Sequence, residues 1–472
     1  MNNEAFVFNG INGADGSYLT APLTPERLGQ RLMQLNDPAS DLDTLKARDL
    51  KRQACFGLPL DMDGQALAQT GWAVIFARSA TAGIRQALAP LLALRAMEAG
   101  ALYREFSGEE GYWPGDTARV WLARQPRGKS PGVVAPCQVP YYLLIVADPQ
   151  DIPFRFQYEL AVSYAVGRIH FDHLQGYHDY ARSVVAAQAA EVASRHQALF
   201  FGPCNEADAA TRLSCGLLVE PLAQQLAQLG LEHWQVEQCV GDQATKARLL
   251  GHLSDQPPSL LFTASHGMGF PCGDPRQLRH QGALLCQDWP GPQQHRGAIP
   301  ADYYLSADDL GDHLCLTGRV MMHFCCYGAG TPLQDNFKRS NEALRQLASR
   351  PFLAALPMRA LSLPAGGALA VIGHVERAWS YSFDWPGCGD DLATFKGTVQ
   401  ALMKGKRVGL AMDHFAMRHA EVAVALNGEL DVLKDPIAKR DDLALGALWI
   451  ASNDARNYVI LGDPAVRLQV EV

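Results

Sequence analysis

The chain has 472 residues, 48% hydrophobic and 19% charged, with a net charge of −8. That length holds about two or three domains with full hydrophobic cores, and the absence of any apolar run of membrane-spanning length argues against a membrane protein. The acidic balance, with basic residues scattered rather than striped among aromatics, argues against nucleic acid as a partner.

The 11 cysteines are an odd number without tight spacing, which reads as free thiols in a reducing compartment. The opening "MNNEAFVFNGINGADGSYLTAPL" lacks a basic region followed by an apolar one, so a cytoplasmic location is expected. Residues 1–65 read as an extension wrapping a larger body, with one helix expected in "TPERLGQRLMQL". A first α/β subdomain is expected over 66–195. It comprises the strand "GWAVIFA", a long helix through "TAGIRQALAPLLALRAMEAGALYREF", the strand "VPYYLLIVADP" and a helix in "YHDYARSVVAAQAAEVASRHQ".

The alternation restarts over 196–390. Strands are expected in "ALFFGP", "WQVEQCV", "SLLFTASHG", "RVMMHFCCYG" and "GGALAVIGHV", and helices in "LSCGLLVEPLAQQLAQLG", "TKARLLGHLS" and "SNEALRQLAS". Continuous apolar strands between amphipathic helices predict an α/β fold with a mostly parallel sheet covered on both faces. A Gly-, Pro-, Gln- and His-rich stretch from Phe270 to Pro300, with a short strand in "GALLCQDW", is long enough to have a job of its own. It directly follows His266 and is expected over or beside a cleft. Residues 391–472 are expected to be helical to about Asn427 and to close with "NYVILGDPAVRLQV", a strand, a turn and a second short strand.

In open parallel sheets, functional side chains gather beyond the carboxyl ends of the strands. Most strand ends here are bland: Asp148 and Pro149, Gly202 and Pro203, Gly462 and Asp463. Two are not. "LLFTASHG" delivers Ser265, His266 and Gly267, and "VMMHFCCYG" delivers Cys325, Cys326 and Gly328. A thiol near its usual pKa of about 8.5 is mostly protonated at neutral pH, and an adjacent imidazole can take that proton and later protonate a leaving amine. Gly267 permits close backbone approach, and its N–H with that of Cys326 suits a developing oxyanion. Taken singly, the histidine also reads as a hydrogen-bonded loop residue and the cysteines as packing.

The pattern of apolar strand, Ser265-His266-Gly267, second apolar strand and Cys325-Cys326-Tyr327-Gly328 resembles the caspase and hemoglobinase superfamily of cysteine peptidases. The preceding unit around "VPYYLLIVADPQDIPFRFQYELAVSYAVGRIHF" and the closing "NYVILGDPAVRL" make it most similar to the gingipain-type branch. The resemblance implies a caspase-like α/β sheet preceded by a related subdomain, and a thioester acyl-enzyme mechanism. His266 would be general base and acid, Cys326 the nucleophile, and the Gly267 and Cys326 amides the oxyanion hole. A small residue before the nucleophile and a glycine two after it favour Cys326 over Cys325. Phe324 stands where relatives that cut after a charged residue often hold a polar or charged side chain. Trp379, Asp384 and Trp385, in the loop after the next strand, are the other candidate pocket residues.

A polypeptide substrate is expected, with no cofactor. A regulatory protein partner, as for a controlled bacterial effector protease, is compatible with this reading; the alternative is an inactive relative that binds a peptide or protein in the same crevice. Cys272, His280, Cys286 and His295 are irregularly spaced, so no metal site is expected. "YGAGTP" lacks the lysine of a phosphate loop, Asp463 reads as a turn residue, and His323 and His374 read as core histidines.

Overall fold

The computed structural model describes residues 9–19, 57–59, 61–125, 132–190, 196–335, 346–385, 389–390, 392–432 and 441–470; the helix expected in "TPERLGQRLMQL" lies outside them. In chain order the strands are β1 (Gly10–Asn12), β2 (Trp72–Phe76), β3 (Tyr103–Phe106), β4 (Tyr142–Val146), β5 (Ala165–Ile169), β6 (His196–Gly202), β7 (Trp234–Val240), β8 (Leu260–Ala264) and β9 (Gly267–Gly269). There follow β10 (Leu284–Leu285), β11 (Tyr304–Leu305), β12 (Val320–Phe324), β13 (Gly330–Thr331), β14 (Phe352–Leu353), β15 (Ala370–His374), β16 (Asp384–Trp385), β17 (Gly389–Asp390) and β18 (Tyr458–Gly462).

Ten of these form one sheet in the order β3-β2-β4-β5-β18-β15-β12-β8-β6-β7. Its pairings are parallel except that of β15 with β18. The strands of 66–195 and β6, β7, β8, β12 and β15 of 196–390 therefore share one sheet, with the closing strand β18 between the two sets. The central strands β8, β12 and β15 are buried at every position, as helices on both faces require. This is the mostly parallel α/β sheet expected from the alternation. A smaller sheet, β1-β9-β10-β11, grows from the segment just after His266. Among the described residues no helix is long and apolar enough to cross a membrane.

Several expected elements differ. The expected long helix is two, Ala82–Ala87 and Ala89–Ala99; the second ends where Gly100 turns left-handed at φ 53°, and "YREF" becomes the edge strand β3 beside β2. Strand β5 was hidden because Arg168 interrupts its apolar run. Arg168 is fully buried there, donating to the Gln157 side chain at 2.8 Å and the Ala147 carbonyl at 3.2 Å. Of the helix expected in "SNEALRQLAS", the part up to residue 345 lies outside the described residues, and Gln346 forms a bridge with Gln334 instead. A helix follows at Ala355–Leu361. Among the described residues after β18 no second strand forms; the Val466 carbonyl accepts the Val408 N–H at 2.8 Å.

Candidate active site

Strands β8 and β12 are neighbours in register, Ala264 beside Phe324, so their carboxyl ends deliver His266 and Cys326 to the same edge of the sheet. The Ser265 N–H extends the ladder one step, donating to the Phe324 carbonyl at 3.1 Å. Gly267 lies directly against the backbone of Cys326: a Cβ there would come within 1.8 Å of the Cys326 oxygen. Only glycine allows that approach. Beyond Cys326 the chain turns sharply, with Tyr327 left-handed at φ 59° and its N–H donating to the Glu376 carbonyl at 2.8 Å. For a non-glycine residue that conformation costs about 1–2 kcal/mol. Such strain is common where a side chain must be presented at a functional site.

His266 is fully buried, and its Nε2 lies 2.8 Å from Oδ2 of Asp208. Asp208 caps the short helix Ala209–Leu213, accepting the Thr211 N–H at 3.2 Å, and also accepts the Tyr18 hydroxyl. Burial by itself would raise the Asp208 carboxyl. The charge and hydrogen bond of His266, aided by Tyr18 and Thr211, outweigh it and hold the group well below the usual carboxylate range. With Asp208 ionised, the proton of this hydrogen bond is carried on Nε2, so the neutral form of the imidazole is the one with its lone pair on Nδ1. That Nδ1 is buried without a hydrogen-bond partner. The rings of Tyr18 and Trp289 stand edge-on to the imidazole, with centroids at 6.0 and 5.8 Å.

The two cysteines have different surroundings. Cys325 packs in the main core near the Gly282 carbonyl, and burial pushes its thiol up to about 12. Cys326 belongs to a separate cluster with Tyr327, Trp379, Tyr18 and Leu19. Its thiol is also pushed well up by burial, with the Ala378 backbone N–H offsetting part of the effect. What covers it is the segment 9–19. The Asn9 carbonyl accepts the Gly267 N–H at 3.1 Å and the Cys326 N–H at 3.0 Å, and β1 then pairs in parallel with β9.

The sequence-derived pocket residues are divided by the structure. Trp379 lies beside Cys326, its backbone N–H donating to Asp454 Oδ1 at 2.9 Å. Phe324 faces the main core, with Phe383 and Phe395 at ring centroids of 5.5 and 6.0 Å. Asp384 and Trp385 form β16, which pairs with β17 in a short hairpin. The Phe270–Pro300 stretch lies beside the site, through Trp289 and the Leu285 N–H that donates to the His266 carbonyl at 3.0 Å. It is part buried and part exposed. Its His280 serves Tyr304 and Asp308, and among the described residues no group of three or more His, Cys, Asp or Glu side chains converges as a metal site. His323 and His374 are buried histidines, bonded to Thr263 at 2.8 Å and to the Asp454 carbonyl at 3.1 Å.

Sequence reasoning missed Asp208 and Asn9. Asp208 follows β6, the strand beside β8, so a reading of that strand end carried a few residues past Gly202 and Pro203 reaches it.

No family model matches the chain, and no curated protein does. Solved structures do. A structure described only as that of a protease shares 12% identity over 86% of this chain and 80% of its own, at a TM-score of 0.50. The Arg-specific cysteine proteinase gingipain R shares 12% identity over 87% of this chain and 80% of its own, at 0.46. The complex of the Porphyromonas gingivalis RgpB pro- and mature domains shares 11% over 85% and 81%, at 0.45. At 11–12% identity these likenesses are of fold alone.

Proposed function

We propose that the chain is a cysteine endopeptidase with Cys326 as nucleophile, His266 as general base and acid, and Asp208 as the group that orients His266. The observation that carries this reading is the convergence of the Gly267 and Cys326 N–H groups on one carbonyl oxygen, beside a histidine whose Nδ1 is unpartnered. Two backbone donors at hydrogen-bond distance are what an acyl-transfer oxyanion needs, and they are fixed before reaction by the contact of Gly267 with Cys326. Nδ1 takes the thiol proton, the thiolate attacks the bound carbonyl, and the same nitrogen protonates the leaving amine. Water then hydrolyses the thioester. The fully covered state of the site fits a peptidase whose access is regulated, and the described cysteines, all free, fit work in a reducing compartment.

A second reading, an inactive relative that binds peptide in this crevice, is favoured by the complete burial of Cys326 and its raised thiol. Labelling with a thiol-reactive peptide decides between them. Under the peptidase reading, Cys326 labels in the wild type and much less in His266→Ala, and Cys326→Ala lowers peptide hydrolysis by about 10⁴-fold or more. Hydrolysis that survives Cys326→Ala would remove the assignment.

A further inference from the structure

Building on the peptidase reading, we propose that the protein cuts its own chain between Asn9 and Gly10, and that asparagine is the residue it reads before the cut. The Asn9–Gly10 unit occupies the site in the manner of a substrate. The Asn9 carbonyl oxygen fills the position between the Gly267 and Cys326 N–H groups, and the Asn9 N–H donates to the Ala378 carbonyl at 3.1 Å. The acyl group is therefore held on both sides of its Cα. Gly10 packs against the nucleophile, since a Cβ there would meet the Cys326 sulfur at 2.9 Å. A glycine after the cut keeps the line of attack open. The leaving side is secured as well, by the pairing of Gly10–Asn12 with Gly267–Gly269 and by the Leu19 N–H on the Gly10 carbonyl at 3.2 Å.

The Asn9 side chain explains the choice of residue. It is 1% exposed, and its Nδ2 donates to the Ser265 carbonyl and to Ser214 Oγ, each at 3.3 Å. The Ser214 hydroxyl directs its own proton to the Thr211 carbonyl at 3.3 Å, so it presents a lone pair to Asn9. Two buried acceptors suit an amide NH₂. An aspartate of the same shape would set a carboxylate against both of them, and a buried polar group left unpaired is the strongest basis for discrimination.

The step balances with water as the one co-reactant. Cys326 gives its proton to His266 Nδ1, and the sulfur bonds to the Asn9 carbonyl carbon. The carbon–nitrogen bond to Gly10 breaks as Nδ1 passes the proton to that nitrogen, leaving Asn9 as a thioester and Gly10 with a free amine. Water cleaves the thioester, restoring the thiol and ending the upstream fragment in an asparagine carboxylate. Departure of that fragment vacates the oxyanion site and the Ser214–Ser265 acceptor pair for an asparagine of another polypeptide.

The test follows the full-length protein by intact mass and N-terminal sequencing during incubation at neutral pH, alongside hydrolysis of reporter peptides carrying Asn, Asp or Arg before the scissile bond. A new N-terminus at Gly10 is expected in the wild type and in neither Cys326→Ala nor His266→Ala; deamidation of the Asn-Gly pair leaves the chain uncut and is not mistaken for it. Asn9→Asp slows self-cleavage by about 100-fold or more, and Asn reporters outpace Asp and Arg by a similar factor. If Cys326-dependent hydrolysis of reporters favours another residue while the Asn9–Gly10 bond stays intact, the inference fails and the peptidase reading stands. If no Cys326-dependent cut occurs in either assay, the peptidase reading fails and takes the inference with it.

Discussion

Three donors meet on the Asp208 carboxylate, and in the proposed mechanism His266 is the one that moves protons. Tyr18 and Thr211 keep the carboxylate ionised and aimed, so the imidazole holds its Nε2 proton and keeps Nδ1, which has no hydrogen-bond partner, for the proton that the proposed mechanism takes from Cys326. Removing the charge while keeping the shape tests this: Asp208→Asn is expected to lower kcat by about 10²–10⁴-fold through loss of the correct tautomer and of imidazolium stabilisation. KM for short peptides should change less, because Asp208 does not touch Asn9 in the described contacts. The pH dependence of stability has a fixed sign. A carboxyl held below its ordinary pKa in the folded state contributes stability that is complete above the ordinary value, about 4, and is lost as pH falls toward the folded value. Thermal melts of wild type and Asp208→Asn should therefore differ at pH 7 and draw together below pH 4; a gap independent of pH would overturn the ionic account. His266 and Cys326 were legible in the sequence because each stands two residues past a nearly continuous apolar strand. Asp208 was not, since it stands 58 residues from His266 and an aspartate before a helix reads as a cap, which it also is.

At the scale of elements, strands with covered faces were the readable ones. β2, β4, β6, β8, β12 and β15 carry nearly continuous apolar runs, whereas edge strand β3 is Tyr-Arg-Glu-Phe and β5 contains Gly167 and Arg168. Gly167 has a packing cause invisible in one dimension: a Cβ there would come within 2.1 Å of the Gly462 carbonyl on β18. The helix Asp413–Val432 holds a comparable tension at its first residue. An anion at a helix N-terminus is ordinarily favoured by about 0.3–1 kcal/mol. Yet Asp413 is pushed up to about 6 by burial, against the Tyr141 hydroxyl that donates to it at 2.8 Å. Here desolvation wins. A carboxyl raised in the folded state binds its proton more tightly there than in the unfolded chain, so the contribution of Asp413 to stability is greatest below about pH 4 and declines as pH rises toward 6. Asp413→Asn keeps an acceptor for Tyr141 and removes the charge, and should stabilise the protein by about 1–2 kcal/mol at pH 8. Urea denaturation at pH 8 and pH 4 would show the gain and its disappearance; a variant less stable than wild type at pH 8 would reverse the argument.

Over the whole molecule, the closing block does more than its turn suggests. Strand β18 sits between the strands of 66–195 and those of 196–390, parallel to β5 and antiparallel to β15. The residue after it, Asp463, is fully buried and reaches back into the first set. It accepts the Arg95 Nε at 2.6 Å, the Trp72 Nε1 at 2.9 Å and its own turn's Ala465 N–H at 2.9 Å, and its N–H donates to the Tyr180 hydroxyl at 2.6 Å. The turn reading explained Gly462 and Pro464 but not why the side chain had to be acidic, because the arginine it meets is distant in sequence. Arg95 is itself fully buried: burial would lower its pKa, and Asp463 with Glu98 more than offsets that. Taking one partner from such a pair leaves a charge in a place water cannot reach, a loss of about 3–5 kcal/mol. Asp463→Ala is therefore expected to destabilise by that amount, with Glu98 keeping the loss toward the lower end. Asp463→Asn, which retains acceptors for Trp72 and Ala465, should lose less. Because the site ties β2 and the helix Ala89–Ala99 to the junction strand, unfolding followed by tryptophan fluorescence and by circular dichroism should shift together. If the Ala variant instead unfolds in two steps, with residues 196–390 melting at their original midpoint, the two sets of strands are not coupled through Asp463.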